Sequence, residues 1–217
     1  MIRCSAVFLP PRGRWSIASS LGLALTLAWL PVRSAEAQEV QAATGRHEHD
    51  GFYLRVASGL GYLHLSDGDL TAKGESGMFS LAIGHEVARN LILYAEIFDD
   101  VAIGPTIEVD STEVTLDDDV SLYVLGWGAG LAYYFMPANA YASVTLAASR
   151  LSLDAPGMDS LDSDLGLGAS TMAGKEWWVT DNLGLGAAVQ LYVGGIPDGG
   201  NVIKTVAGAL ALSVTYN

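Results

Sequence analysis

Cysteine is almost absent from this chain. Cys4 is the single one, and it sits in the N-terminal stretch ahead of an apolar segment. That leaves no disulfide framework and no thiol chemistry, and a cysteine before the apolar segment is in the wrong order for a lipid-anchored lipoprotein. Basic residues are also scarce, 11 Lys and Arg against 24 Asp and Glu, a balance that argues against binding nucleic-acid backbones. Long apolar runs are missing too. The one candidate, 21–30, falls well short of the ~18–20 residues a spanning helix needs, so a retained membrane anchor is not expected. A Gly-x-Ser-x-Gly elbow and a Walker-type phosphate loop are both lacking, which removes two common catalytic signatures.

What is present begins with an export signal. Arg3, Arg12 and Arg14 precede the apolar segment, and Ala35-Glu36-Ala37 supplies a small-x-small cleavage pattern. Cleavage after Ala37 divides the chain into a signal peptide (1–37), a polar periplasmic leader (38–50) and one domain (51–217). Of the charged residues, 7 of 11 basic and 23 of 24 acidic ones stay with the 180 residues that follow the signal, a net −16. Hydrophobic residues make up 50% of the sequence, yet no helical span accounts for them. Export and apolarity without helices point to a β-barrel.

Alternation with a period of two marks strands, and eight are read: 52–65, 78–87, 91–98, 121–135, 140–153, 165–178, 183–193 and 202–216. The last is the most telling. Val206, Leu210, Leu212, Val214 and Tyr216 share one parity, while Thr205, Ala207, Ala209, Ala211, Ser213 and Thr215 share the other. A half-exposed soluble strand would carry charge on its outer face, and neither row does. A lipid-facing apolar row backed by a tight, mildly polar interior fits instead. A soluble lipocalin-like ligand carrier is the structural rival, but the middles of the last five strands offer no charged face to water.

The connections alternate. Short pieces at 88–90, 136–139 and 179–182 alternate with long polar stretches at 66–77, 99–120, 154–164 and 194–201. Short turns on one rim and long loops on the other are how outer-membrane barrels are built, and an even strand count puts both termini on the periplasmic side. Aromatics gather at both strand ends. Phe52, Tyr53, Tyr133, Tyr134, Phe135, Tyr141, Trp177, Trp178 and Tyr216 mark the periplasmic end, and Tyr62, Phe79, Phe98, Tyr123 and Tyr192 the outer end, as interfacial girdles do.

The segments GAGLAYYF (128–135) and GKEWWVTDNLGLG (174–186), together with the closing strand, resemble the small eight-stranded outer-membrane β-barrels, the OmpA membrane domain and OmpX-like class. The resemblance covers 51–217 and implies an all-β, eight-stranded antiparallel up-and-down transmembrane barrel. It also implies partners: membrane lipid, lipopolysaccharide and the barrel-assembly machinery that recognises a closing aromatic. Here Tyr216 is followed by Asn217, a departure from that ending.

Several residues invite functional readings. With the apolar row facing lipid, Arg55, Glu86, Glu96 and Glu176 point inward near the periplasmic end. They form an expected lumen charge cluster in which Arg55 bonds at least one carboxylate. It reads either as packing that sets register or as a gate, resembling the ion-pair plug of OmpA-like barrels. The acidic outer loops, with Asp117, Asp118 and Asp119 at their densest, could share divalent cations with lipopolysaccharide phosphates, and Arg150 is placed to touch a phosphate directly. The tract His47-Glu48-His49-Asp50 has metal-binding residue types but no third His or Cys ligand nearby, so it is read as a mobile tail and no metal site is assigned. Some barrels of this size deacylate or acylate lipid A. Here His85 and Glu86 are adjacent and point to opposite faces, and no motif surrounds His64 and Ser66. The expectation is a monomeric, non-enzymatic, porin-like envelope protein without a cofactor, in a structural or surface-interaction role with at most very limited solute passage. A lipid A-modifying enzyme is the alternative.

Overall fold

The computed structural model describes His49 and residues 51–68, 70–110 and 112–217, all within the compact unit Gly45–Asn217. The signal peptide and most of the leader lie outside the described residues. Among the described residues eleven strands form: β1 (Phe52–Asp67), β2 (Leu70–Ala88), β3 (Leu91–Ile103), β4 (Thr106–Val109), β5 (Thr112–Thr115), β6 (Ser121–Phe135), β7 (Ala140–Asp154), β8 (Leu161–Asp162), β9 (Gly166–Trp178), β10 (Leu183–Asp198) and β11 (Asn201–Tyr216). Eight of them, all but β4, β5 and β8, pair antiparallel in chain order. β1 bonds to β2 on one side and to β11 on the other, so the sheet closes and no barrel edge is left to aggregate.

The two parities separate as the alternation requires. On β11, Leu210 and Leu212 are 71% and 74% exposed, while Thr205, Ala207, Ala209, Ala211, Ser213 and Thr215 are buried. The same holds around the ring, where Leu60, Val144, Leu146, Leu167, Leu185 and Val189 all face outward and exposed. A soluble protein does not expose a continuous apolar belt of this size. The exterior is therefore one that lipid solvates, and a water-soluble carrier is ruled out as the reading of this surface.

The small residues of the inner face have a packing reason. A Cβ at Gly168 would lie 2.6 Å from the Tyr192 ring, and one at Gly126 would strike the Phe98 ring. An eight-stranded barrel encloses only enough space for side chains to fill, so each large inward ring needs a small residue facing it. Two apolar clusters result. Tyr53, Tyr94, Tyr134, Tyr141 and Met172 belong to the one nearer the chain termini. Phe98, Tyr192, Leu63, Leu122 and Ile196 belong to the other.

At the rim far from the termini the structure departs from the sequence reading. Residues 66–77 and 194–201 are not long loops. β1 and β2 stay paired out to Asp67 and Leu70, and β10 and β11 out to Asp198 and Asn201. Gly199 and Gly200, both at positive φ, make the two-residue turn that such a hairpin favours. Within 99–120, β3 continues to Ile103 and the hairpin β4–β5 follows, with β4 bonded to the start of β2. The alternation was hard to see because outward residues here, such as Lys73, Glu75 and Lys204, have left the apolar belt while backbone pairing goes on. β10, β11, β1, β2, β4 and β5 thus form an unbroken wall above one side of the barrel. Lys73 Nζ pins its end, donating to Glu113 Oε1 at 2.6 Å and Glu108 Oε2 at 3.3 Å. The hydrogen bond donated by Lys73 holds the Glu113 carboxyl below its usual range, and donation to both glutamates holds Lys73 above its own.

Candidate functional site: a charged tier in the lumen

The inward charges converge near the end that carries the termini. Arg55 on β1 is fully buried, and its backbone neighbours across the sheet are Ala82 and Thr215. Its Nη2 lies 3.7 Å from Glu96 Oε1 on β3, an ion pair longer than a direct hydrogen bond. The guanidinium also sits 5.1 Å from the ring centroid of Tyr141 and 5.6 Å from that of Tyr94, within cation–π range. Glu96 accepts from Ser80 Oγ at 2.8 Å and from Thr145 Oγ1. Tyr94 Oη shares a 2.8 Å hydrogen bond with the same threonine. Glu176 on β9 accepts from Thr215 Oγ1 at 2.6 Å and from Tyr134 Oη at 3.2 Å. Seven of the eight barrel strands, all but β10, thus contribute to one tier: a cation between rings, and two carboxylates held by hydroxyl donors.

Glu86 does not join this tier. It sits where the β2–β3 register shifts, and its Oε1 accepts from the backbone N–H of Asn90 at 2.9 Å. Asn90 has φ 61°, so Glu86 serves the tight turn and not Arg55. Tyr53, Tyr134 and Tyr141, expected in the periplasmic girdle, and Phe98 and Tyr192, expected in the outer one, all face inward and are buried. The signal was available, because Tyr53 shares its parity with Arg55 and Tyr134 shares its own with Gly126, Gly128 and Gly130. The girdle positions Phe52, Tyr133, Phe135, Trp177 and Tyr216 lie on the outer surface, all between 44% and 55% exposed.

His49, read as part of a mobile tail, is buried. Its Nε2 is 2.7 Å from Asn139 Oδ1, and its ring stacks on Tyr134 with centroids 3.5 Å apart and lies 5.1 Å from that of Trp178. At the far rim, Asp117, Asp118 and Asp119 are exposed in the turn after β5. Arg150 is half-exposed and pairs with Asp162 of β8 at 3.7 Å, not with that aspartate run. Asp100, within the stretch 99–120 expected as an outer loop, is instead inside the barrel and fully buried. His64 and His85 are both exposed on the outer wall, near opposite ends of the molecule. Among the described residues no group of three or more His, Cys, Asp or Glu is placed to hold a metal ion.

No family model matches the chain, and no curated protein does. Solved structures do match. Neisserial surface protein A (NspA) superposes with a TM-score of 0.56 at 20% identity, over 77% of this chain and 97% of that one. The attachment invasion locus protein Ail of Yersinia pestis gives 0.45 at 11% identity over 77% and 99%. The outer membrane protein OprG of Pseudomonas aeruginosa gives 0.44 at 11% identity over 79% and 99%. The chain has the fold of the small eight-stranded outer-membrane β-barrels.

Proposed function

We propose that the chain is an outer-membrane protein of a Gram-negative bacterium, its termini in the periplasm, with a non-catalytic role in the envelope. Its lumen stays closed to all but the smallest solutes, and its far-rim wall and turns meet lipopolysaccharide or surface partners. The carrying observation is the tier around Arg55. A fully buried guanidinium between two tyrosine rings, with carboxylates on β3 and β9, fills the cross-section where a pore would pass. Membrane lipid faces the apolar belt, and the assembly machinery is the expected partner of the closing strand. Arg150 and the run Asp117 to Asp119 are the far-rim groups offered to lipid phosphates, directly or through divalent cations.

The test is planar-bilayer recording on the purified chain. A flat baseline for the native protein and for Arg55→Ala supports a packed barrel. Steady conductance in the native protein overturns the closed lumen. Silence that becomes conductance in Arg55→Ala makes the ion pair a gate. Lipid A mass spectra from cells lacking the gene test the enzymatic reading. An altered acyl pattern, restored by the native chain but not by His64→Ala or His85→Ala, would replace the proposal with a lipid-modifying enzyme.

A further inference from the structure

The barrel mouth at which β1 begins and β11 ends does not stand empty. We infer that this mouth is a seat for the His49 side chain, which closes the lumen from that side. The inference goes beyond the envelope role and holds whatever the far rim contacts.

Three observations carry it. His49 lies before the first strand and is fully buried, although polar residues ahead of a barrel have every reason to remain in water. The mouth supplies it with a matched seat: Tyr134 as a stacking platform, Trp178 as a side wall, and Asn139 as a hydrogen-bond partner. Since Asn139 Oδ1 accepts, the imidazole donates through Nε2. The backbone then continues into the barrel wall, because Gly51 O accepts from Glu86 N at 2.9 Å and Gly51 takes φ 80°. That left-handed residue turns the chain from the mouth into β1. Tyr134, on which the imidazole stacks, also donates to Glu176, whose Oε2 is buried without a hydrogen-bond partner. Removing His49 would bring water to that carboxylate.

Asn139 is built for the task as well. It occupies the β6–β7 turn at φ 50°, where glycine is the natural alternative. Asn139→Gly therefore removes the acceptor and keeps the turn.

Labelling of engineered cysteines tests the inference in a Cys4→Ser background of the full chain, folded in detergent micelles. Ser213→Cys places a thiol in the lumen on the side of the mouth. Thr205→Cys places one toward the far rim. The probe is a small charged methanethiosulfonate, and folding of every variant is checked by heat-modifiable gel mobility. The expected result is at least a tenfold faster reaction at position 213 when His49→Ala or Asn139→Gly is added, with position 205 unchanged. Equal rates at 213 with and without His49 overturn the inference. Equal acceleration at both positions also overturns it, since that means general loosening and not an opened mouth. If His49→Ala does not fold, Asn139→Gly carries the comparison alone.

Discussion

Replacing Arg55 by methionine removes the cation that the lumen tier holds among the described residues and keeps most of its volume. The attraction lost follows from the 3.7 Å separation from Glu96. At an effective dielectric of ~20, two unit charges at that distance attract by about 4–5 kcal/mol. Two cation–π contacts go as well, each worth about 0.5–2 kcal/mol, though a thioether against the same rings recovers part of this. Against these losses stands the desolvation no longer required for the guanidinium. Removing one member of a buried pair costs about 3–5 kcal/mol overall, chiefly because the other charge is stranded. Here the stranded group is Glu96, still held by Ser80 and Thr145. The double variant Arg55→Met/Glu96→Gln strands nothing at this pair, and the amide oxygen still accepts from both hydroxyls. It should lose only ~0–2 kcal/mol, less than Arg55→Met alone. Urea unfolding of the barrel in lipid vesicles, followed by tryptophan fluorescence and gel mobility, measures both. An Arg55→Met stability within ~1 kcal/mol of the native protein, or a loss that Glu96→Gln deepens where rescue is expected, would refute the buried pair.

The outward assignment is checked by Leu212→Arg, since a cation on the lipid face near the bilayer middle costs about 2–4 kcal/mol. In vesicles this should appear as lost folding yield, and an unchanged unfolding midpoint would place water on that face. A Cβ at Gly128 would collide with the backbone carbonyl of Leu146, whereas one at Gly77 meets nothing within 4 Å. Gly128→Ala should therefore destabilise by about 1–3 kcal/mol and Gly77→Ala change stability by less than ~0.5 kcal/mol, with equal effects counting against the close strand approach. The contact between Lys73 and Glu113 fixes a pH dependence. Glu113 titrates lower in the folded state, so its contribution is present above the ordinary carboxylate range and lost as pH falls through it. Lys73 titrates higher, so its contribution is lost only as pH climbs above the ordinary lysine range. Amide exchange in β4 and β5 should speed up from pH 7 to pH 3 after correction for intrinsic rates, and Lys73→Met should abolish that change.

The barrel was legible because lipid on one side and a tight core on the other impose opposite demands on alternate residues. That is why β6, β7 and β11 could be read nearly to their ends. Legibility stopped above the belt. There the outward face of β2 carries Lys73 and Glu75 and the inward face only the small residues Ala72 and Gly74, so Leu70 to Glu75 read as loop although the ladder continues. Arg55, Glu96 and Glu176 could be found by parity alone. Their tyrosine partners could have been found the same way, but an aromatic near a strand end fits a girdle as readily as a core. Glu86 shows the opposite error, an inward parity whose hydrogen bond belongs to a turn. His49 had no sequence signal, since nothing in a period of two says where the residues before the first strand will rest.

The wall made by β10, β11, β1, β2, β4 and β5 has a consequence for variation over time. Its outline is set by main-chain ladders, and almost any residue can supply a ladder bond. Exposed side chains such as Glu75, Asn201 and Val202 can change without moving the backbone that displays them. In the orientation proposed above, an antibody or bacteriophage selecting against this face would meet a surface whose chemistry drifts while its contour persists.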